Sequence, residues 1–135
     1  MILYNGLTLA YIGDAYYELW IRDYCLQKGD TLVRDLHKRA ILYTQATAQA
    51  LAANKLVEEF YSEAEISIFK RGRNHSATHK PKNADVQTYN KSTGFEAVIG
   101  YLYLEKNFDR LEAIFNFAVQ VIEENKEKVL VNLEE

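Results

Sequence analysis

The stretch from Leu7 to Leu26, LTLAYIGDAYYELWIRDYCL, decides the fold class. It is long, apolar and helix-like, and it ends at Lys28-Gly29, a basic last turn followed by a glycine stop. The rest of the chain reads the same way. Thr31 can cap a second helix, which runs through Leu36, Ala40, Tyr43 and Ala50 towards Ala53. The Ala-rich second half of that helix favours helical backbone and close packing. A short helical piece is expected from Leu56 to Tyr61. Ser62 and Glu65 then form a capping box that opens a helix through Ile66 and Phe69 to about Arg73.

Periodicity breaks between His75 and Asp85. This segment holds the one proline, Pro81, and no large aliphatic or aromatic residue. It reads as a loop, long enough for a compact domain to be a candidate functional loop. Helical pattern returns from Val86 to about Lys106 through Phe95, Val98, Ile99, Leu102 and Tyr103. A last helix, about Asp109 to Glu127, carries Leu111, Ile114, Phe115, Ala118 and Ile122 on one stripe. The expected fold is all-α, a helical bundle over residues 1–128, with an acidic tail over 129–135 that frays.

Composition agrees. The 135 residues suffice for one domain with a real core. With 48% hydrophobic and 26% charged residues the chain is globular rather than disordered. One Pro and six Gly leave few turns for a multi-stranded β fold. The single cysteine, Cys25, excludes an internal disulfide or a Cys-rich zinc site and suits a reducing cytoplasm. No apolar run reaches membrane-span length and the N-terminus lacks a signal-peptide pattern, so a cytoplasmic location is expected. The formal charge of −3 does not announce a nucleic-acid binder, but its distribution is uneven. Lys70, Arg71, Arg73, Lys80, Lys82 and Lys91 face one acid, Asp85, within one segment. A basic segment in an acidic protein suggests a polyanion contact, the ordinary alternative being a solvated loop.

Two carboxylates sit in unusual surroundings. Asp14 lies within Leu9-Ala10-Tyr11-Ile12-Gly13-Asp14-Ala15, and Glu96 within Thr93-Gly94-Phe95-Glu96-Ala97-Val98-Ile99-Gly100. Both are mid-helix and apolar in context, where an ionised carboxylate needs a partner or a metal. Gly13, Gly94 and Gly100 beside them indicate a close backbone approach. If the two helices cross there, Asp14 and Glu96 can share one divalent cation. Oxygen ligands without Cys/His clusters favour Mg²⁺ or Mn²⁺ over zinc. The alternative is that each acid finds an ordinary ion pair or faces solvent, which is the commoner case. Glu18 could add a ligand, but Arg22 stands four residues on and is the preferred partner. His37, His75 and His79 have no metal-ligand spacing, and Cys25 reads as a small core residue. The tyrosines at 11, 16, 17, 24, 101 and 103 suit amphipathic packing and an interface.

Leu-Ala-Tyr-Ile-Gly-Asp-Ala at 9–15 together with Phe-Glu-Ala-Val-Ile-Gly at 95–100 resembles the two signature helices of the ribonuclease III catalytic domain. Asp35-Leu36-His37-Lys38, Lys70-Arg71-Gly72-Arg73-Asn74 and Pro81-Lys82-Asn83-Ala84-Asp85-Val86-Gln87-Thr88-Tyr89 resemble segments of its Mini-ribonuclease III subfamily. That subfamily has the catalytic domain alone, and this chain is expected to end where a double-stranded-RNA-binding domain would begin. The resemblance implies an all-helical, metal-dependent endoribonuclease of double-stranded RNA. It implies Asp14 and Glu96 as catalytic and Mg²⁺-holding residues, 5′-phosphate and 3′-hydroxyl products, and a homodimer packed around Tyr11 and Ile12. Lys70, Arg71, Arg73, Lys80 and Lys82 would grip the RNA. The implied substrate is the stem of the precursor of large-subunit (23S-type) ribosomal RNA, with a large-subunit ribosomal protein as a stimulating partner.

The pattern also departs from the larger ribonuclease III enzymes. Their further acidic positions fall here at Leu7, Ala10 and Thr93. The Mini subfamily is likewise reduced to the Asp and Glu pair, which implies a poorer ligand set and weaker metal binding. Two other classes stay open. One is a catalytically silent RNA-binding or ribosome-associated ribonuclease III-like domain, against which retention of Asp14 and Glu96 speaks. The other is a helical dimerisation module, which has no need of the basic loop.

Overall fold

A computed structural model describes residues 4–75 and 85–126. Six helices form in this order: α1 (Gly6–Gln27), α2 (Val33–Thr44), α3 (Ala46–Glu59), α4 (Glu63–His75), α5 (Val86–Leu104) and α6 (Phe108–Glu124). No strand occurs among the described residues, so the all-α expectation holds. Lys80, Lys82 and the rest of the 76–84 segment lie outside the described residues, as does the acidic C-terminal stretch.

The ends of the helices follow from local chemistry. Asn5 caps α1, its Oδ1 accepting from the Thr8 N–H at 2.9 Å. Beyond Lys28, Gly29 turns the chain away with φ 111°, in the left-handed region. The capping box opening α4 is complete. The Ser62 N–H donates to Glu65 Oε1 at 2.8 Å, and the Glu65 N–H donates to Ser62 Oγ at 3.2 Å. Asp85 caps α5, accepting from the Gln87 N–H at 3.0 Å.

The sequence reading is corrected in the second quarter of the chain. The one helix expected from Thr31 to Ala53 is two, broken at Gln45, whose ψ of 152° is extended. Leu32, not Thr31, is the N-cap of α2, and it makes no side-chain capping bond. The separate piece expected at Leu56 to Tyr61 is the end of α3. Neither proline nor glycine marks the break, so local propensity does not reveal it. The reason is tertiary: the bend lets α3 lie against both α5 and α6.

Helix α5 is the axis of the bundle. It packs against α1, α3, α4 and α6, and Ser92–Phe95 and Ala97–Gly100 are buried. A helix apolar on every side must be enclosed in this way. Around it Leu9, Tyr17, Ile21, Leu56, Ile114 and Phe115 are fully buried. The Tyr17 ring meets Phe95 edge-on at 5.0 Å, and its hydroxyl donates to the Tyr43 carbonyl at 2.9 Å. Cys25 is buried in the same core.

Arg110 ties α6 to α4 and to the end of α3. It donates to both oxygens of Glu65, at 2.8 and 2.7 Å, and to the Phe60 carbonyl at 2.8 Å. Burial pushes the Glu65 carboxyl up, but Arg110 and the Ser62 N–H together hold it below the ordinary range. A carboxylate held low stabilises the fold above its unfolded value, and that stabilisation is lost as pH falls through the folded one. Arg110→Ala is therefore expected to cost about 2 kcal/mol near neutral pH, below the roughly 3–5 kcal/mol of a fully buried pair because the arginine is partly exposed. The difference from wild type should shrink as pH falls below about 4.5, the ordinary glutamate value. Urea unfolding of both proteins at several pH values measures it.

Candidate active site

Gly13 and Gly100 make the site possible. A Cβ built at Gly13 would stand 1.8 Å from the Glu96 carbonyl oxygen, and one at Gly100 would stand 1.9 Å from that of Leu9. The backbones of α1 and α5 therefore touch at their crossing. Asp14 follows the first contact point and Glu96 belongs to it, so the two carboxylates meet across the crossing. This is the close approach that the mid-helix glycines indicated.

Asp14 is exposed and Glu96 is half-buried. Their side chains lie within hydrogen-bonding reach of each other. Burial and the Asp14 charge push the Glu96 carboxyl up to about 9, while a hydrogen bond from Gln49 pulls it down. Raised this far, Glu96 keeps its proton at neutral pH unless a cation takes its place. They open into a cleft of about 410 Å³, walled by Ala10 and Tyr11 from α1, Thr44 and Gln49 from α2 and α3, and Tyr89 and Thr93 from α5. The residues present fit a hard divalent cation: two carboxylate oxygen donors, mutual repulsion that a cation would relieve, and room for water. No group of three or more His, Cys, Asp or Glu suited to a metal occurs among the described residues. The protein donor set is thus small, and most of the coordination sphere would be water or substrate.

The structure places the other candidates as follows. Ala10 is buried at the cleft wall and Thr93 is buried beside it, its hydroxyl donating to the Tyr89 carbonyl at 3.0 Å. Glu18 pairs with Arg22 at 3.4 Å, the surface ion pair expected from their spacing. Lys70 is exposed on α4, and the Arg73 guanidinium lies 5.9 Å from the Phe69 ring centroid. Arg71 donates to the Tyr4 carbonyl at 3.0 Å, which ties the N-terminal segment to α4. A Cβ at Gly72 would stand 3.0 Å from the Thr93 carbonyl, so this basic turn leans on α5 one turn before Glu96. Tyr11 is 79% exposed and Ile12 is half-buried. Ile12 shares a shallow groove with Ala15, Tyr16, Leu19 and Tyr103, and Leu19 is 65% exposed.

Two features escaped the sequence reading. Leu19 extends the exposed apolar face of α1 towards Tyr103, one of the tyrosines expected at an interface, and only their juxtaposition across two helices reveals it. Gln49 is buried at the site within the alanine-rich run of α3. The one signal, an amide in such a run, is weak because it equally suits exposed helix surface.

Comparison with known proteins agrees with this geometry. The ribonuclease III domain family matches residues 7–107. The Mini-ribonuclease 3 of Streptococcus pneumoniae is 48% identical over 122 residues, covering 90% of this chain and 95% of that protein. The Mini-ribonuclease 3 of Enterococcus faecalis is 46% identical over 125 residues, covering 92% and 95%. A crystal structure of a Fusobacterium nucleatum protein superposes with a TM-score of 0.77 at 34% identity, covering 87% of this chain and 93% of that one.

Proposed function

This chain belongs to the ribonuclease III family, alongside the Mini-ribonuclease 3 proteins, and we propose that Asp14 and Glu96 are the residues with which it cuts double-stranded RNA. It is an endoribonuclease of the ribonuclease III type. The observation that carries the assignment is the meeting of these two carboxylates in an open cleft at a glycine-lined helix crossing. Asp14, at the mouth, and Glu96, further in, would hold Mg²⁺, with Mn²⁺ as a substitute. A divalent cation held there supplies positive charge that polarises the phosphodiester and lowers the pKa of an attacking water. The protein's own part is to keep two negative oxygens converged without further acids. Ala10 leaves room where a larger side chain would fill the cleft, and Thr93 spends its hydroxyl proton on the backbone.

Lys70 and Arg73 at the end of α4, with Lys80 and Lys82 beyond it, would hold phosphates of the duplex, and Arg71 would support the same turn. Replacing Lys80 and Lys82 together by Ala is expected to weaken duplex binding and lower its log–log salt slope by roughly one unit per lost contact. Melting temperature should stay within about a degree of wild type, as the reading of this segment from its sequence as a solvated loop requires. Titrations at several salt concentrations beside a thermal melt read both.

The exposed apolar face of α1 would pack against its copy in a two-fold homodimer, placing one site on each RNA strand. Ile12→Asp puts two uncompensated charges into such an interface and is expected to give a monomer by sedimentation, with the helical spectrum retained. A wild-type protein that sediments as a monomer at active concentrations would exclude the paired cut.

The products would be 5′-phosphate and 3′-hydroxyl ends in a staggered cut with a short 3′ overhang. The natural substrate would be the stem of the 23S-type ribosomal RNA precursor, with a large-subunit ribosomal protein stimulating cleavage. End-group analysis of fragments from such a stem tests this reading. The opposite polarity of ends, 5′-hydroxyl and 3′-phosphate, would refute the mechanism.

A further inference from the structure

Gln49 is 3% exposed, and it is one of four polar residues buried in the described structure. Its Nε2 donates to the Thr44 carbonyl at 2.9 Å, and its side chain lines the same cleft as Asp14 and Glu96, close enough to pull the Glu96 carboxyl down. Its Oε1 is buried and accepts no hydrogen bond from any described residue. An orphaned buried oxygen costs stability, so an apolar side chain would serve packing better at this position. The neighbours Ala48, Ala50, Ala52 and Ala53 show what packing alone selects on this helix.

The break at Gln45 explains how the amide is held. In an unbroken helix the Thr44 carbonyl would accept from the backbone four residues on; at the break it is free to accept the Gln49 side chain. One amide thus ties the end of α2 to the start of α3 beside a carboxylate on α5. Once ionised, as a cation would require, Glu96 needs such a hold, because its other close partner is Asp14, whose like charge would repel it.

We infer that Gln49 is a positioning residue of the active site, fixing the Glu96 carboxylate towards Asp14 from the α2–α3 bend. The inference rests on the reading of Asp14 and Glu96 as a cation site. Buried hydrogen-bond partners of ligating carboxylates set ligand orientation, and their loss weakens metal binding by about 10- to 100-fold.

The test measures Mn²⁺ binding to the RNA-free protein by calorimetry, beside thermal melts in chelator. Gln49→Leu is expected to bind Mn²⁺ about 10- to 100-fold more weakly than wild type, with an unchanged or higher melting temperature. Metal-activated cleavage should need correspondingly more Mn²⁺ while its saturating rate falls less. An affinity within a factor of about three of wild type, or a loss of affinity accompanied by a lower melting temperature, would overturn the inference. If Gln49→Leu does not fold, Gln49→Met is read by the same criteria. Glu96→Gln is measured alongside. Should it bind Mn²⁺ as wild type does, the cation-site reading itself falls. Should it lose binding while Gln49→Leu keeps it, only the role of Gln49 is refuted.

Discussion

Glu96→Gln and Asp14→Asn are each expected to slow cleavage of duplex RNA by about 10³-fold or more, roughly 4 kcal/mol of transition-state stabilisation. Each change keeps the shape of the side chain and removes a charge that would hold the cation. With two protein carboxylates at the site, neither loss has a substitute among the neighbours: Ala10 cannot ligate, and Thr93 offers only a neutral hydroxyl in place of a lost charge. Dimer formation and duplex binding should persist, because neither acid supports the core. The fold itself should gain. Glu96 is pushed up to about 9 from an ordinary 4.5. Between those values the folded protein holds a proton that the unfolded chain releases, so without metal stability falls as pH rises. Glutamine at this position needs no proton. Glu96→Gln should therefore melt about 3–6 °C above wild type at neutral pH in chelator, with the gap closing as pH falls towards 4.5. A variant that is both inactive and less stable would point to a structural glutamate. Near-normal activity at limiting Mg²⁺ would remove the residue from the site.

Gly100→Ala and Gly13→Ala are expected to be the most damaging single methyl additions to this protein. The new Cβ would stand 1.9 or 1.8 Å from a main-chain carbonyl oxygen on the facing helix. Such an oxygen cannot rotate aside as a side chain can, so α1 and α5 must separate. That separation loosens Leu9, Tyr17 and Phe95 together, three fully buried residues of the core. A cost of about 4 kcal/mol or more is expected, beyond the usual range for overpacking and a large share of a small domain's stability. Any fraction that folds should cleave at least about 10²-fold more slowly, since a displacement near 1 Å between Asp14 and Glu96 spoils the geometry. Urea unfolding and single-turnover cleavage read the two effects separately. Wild-type values in both would mean that the helices do not meet at these glycines.

Much of this was legible in the sequence, for reasons that differ by residue. The order of helices follows from apolar periodicity, and the α4 capping box was readable because both partners are local. The glycines beside Asp14 and Glu96 signalled a close crossing because mid-helix glycine is costly without one. The break at Gln45 was not legible, since it answers to α5 and α6 packing rather than to any local breaker. Gln49 went unnoticed for the same reason. Its burial depends on that bend, and a glutamine within an alanine run looks like ordinary helix surface. The resemblance of the signature segments to ribonuclease III carried the chemistry further than periodicity could, because composition alone leaves two acids with an ion-pair explanation.

The most direct measurement incubates the purified protein with a long RNA duplex, with and without Mg²⁺, beside single-stranded RNA and duplex DNA of the same sequence. The expected result is cleavage of the RNA duplex with Mg²⁺, none in chelator, and little or none of either control. Cleavage that persists in chelator, or single-stranded RNA cut as readily as duplex, would contradict the assignment of Asp14 and Glu96 as a cation site for double-stranded RNA.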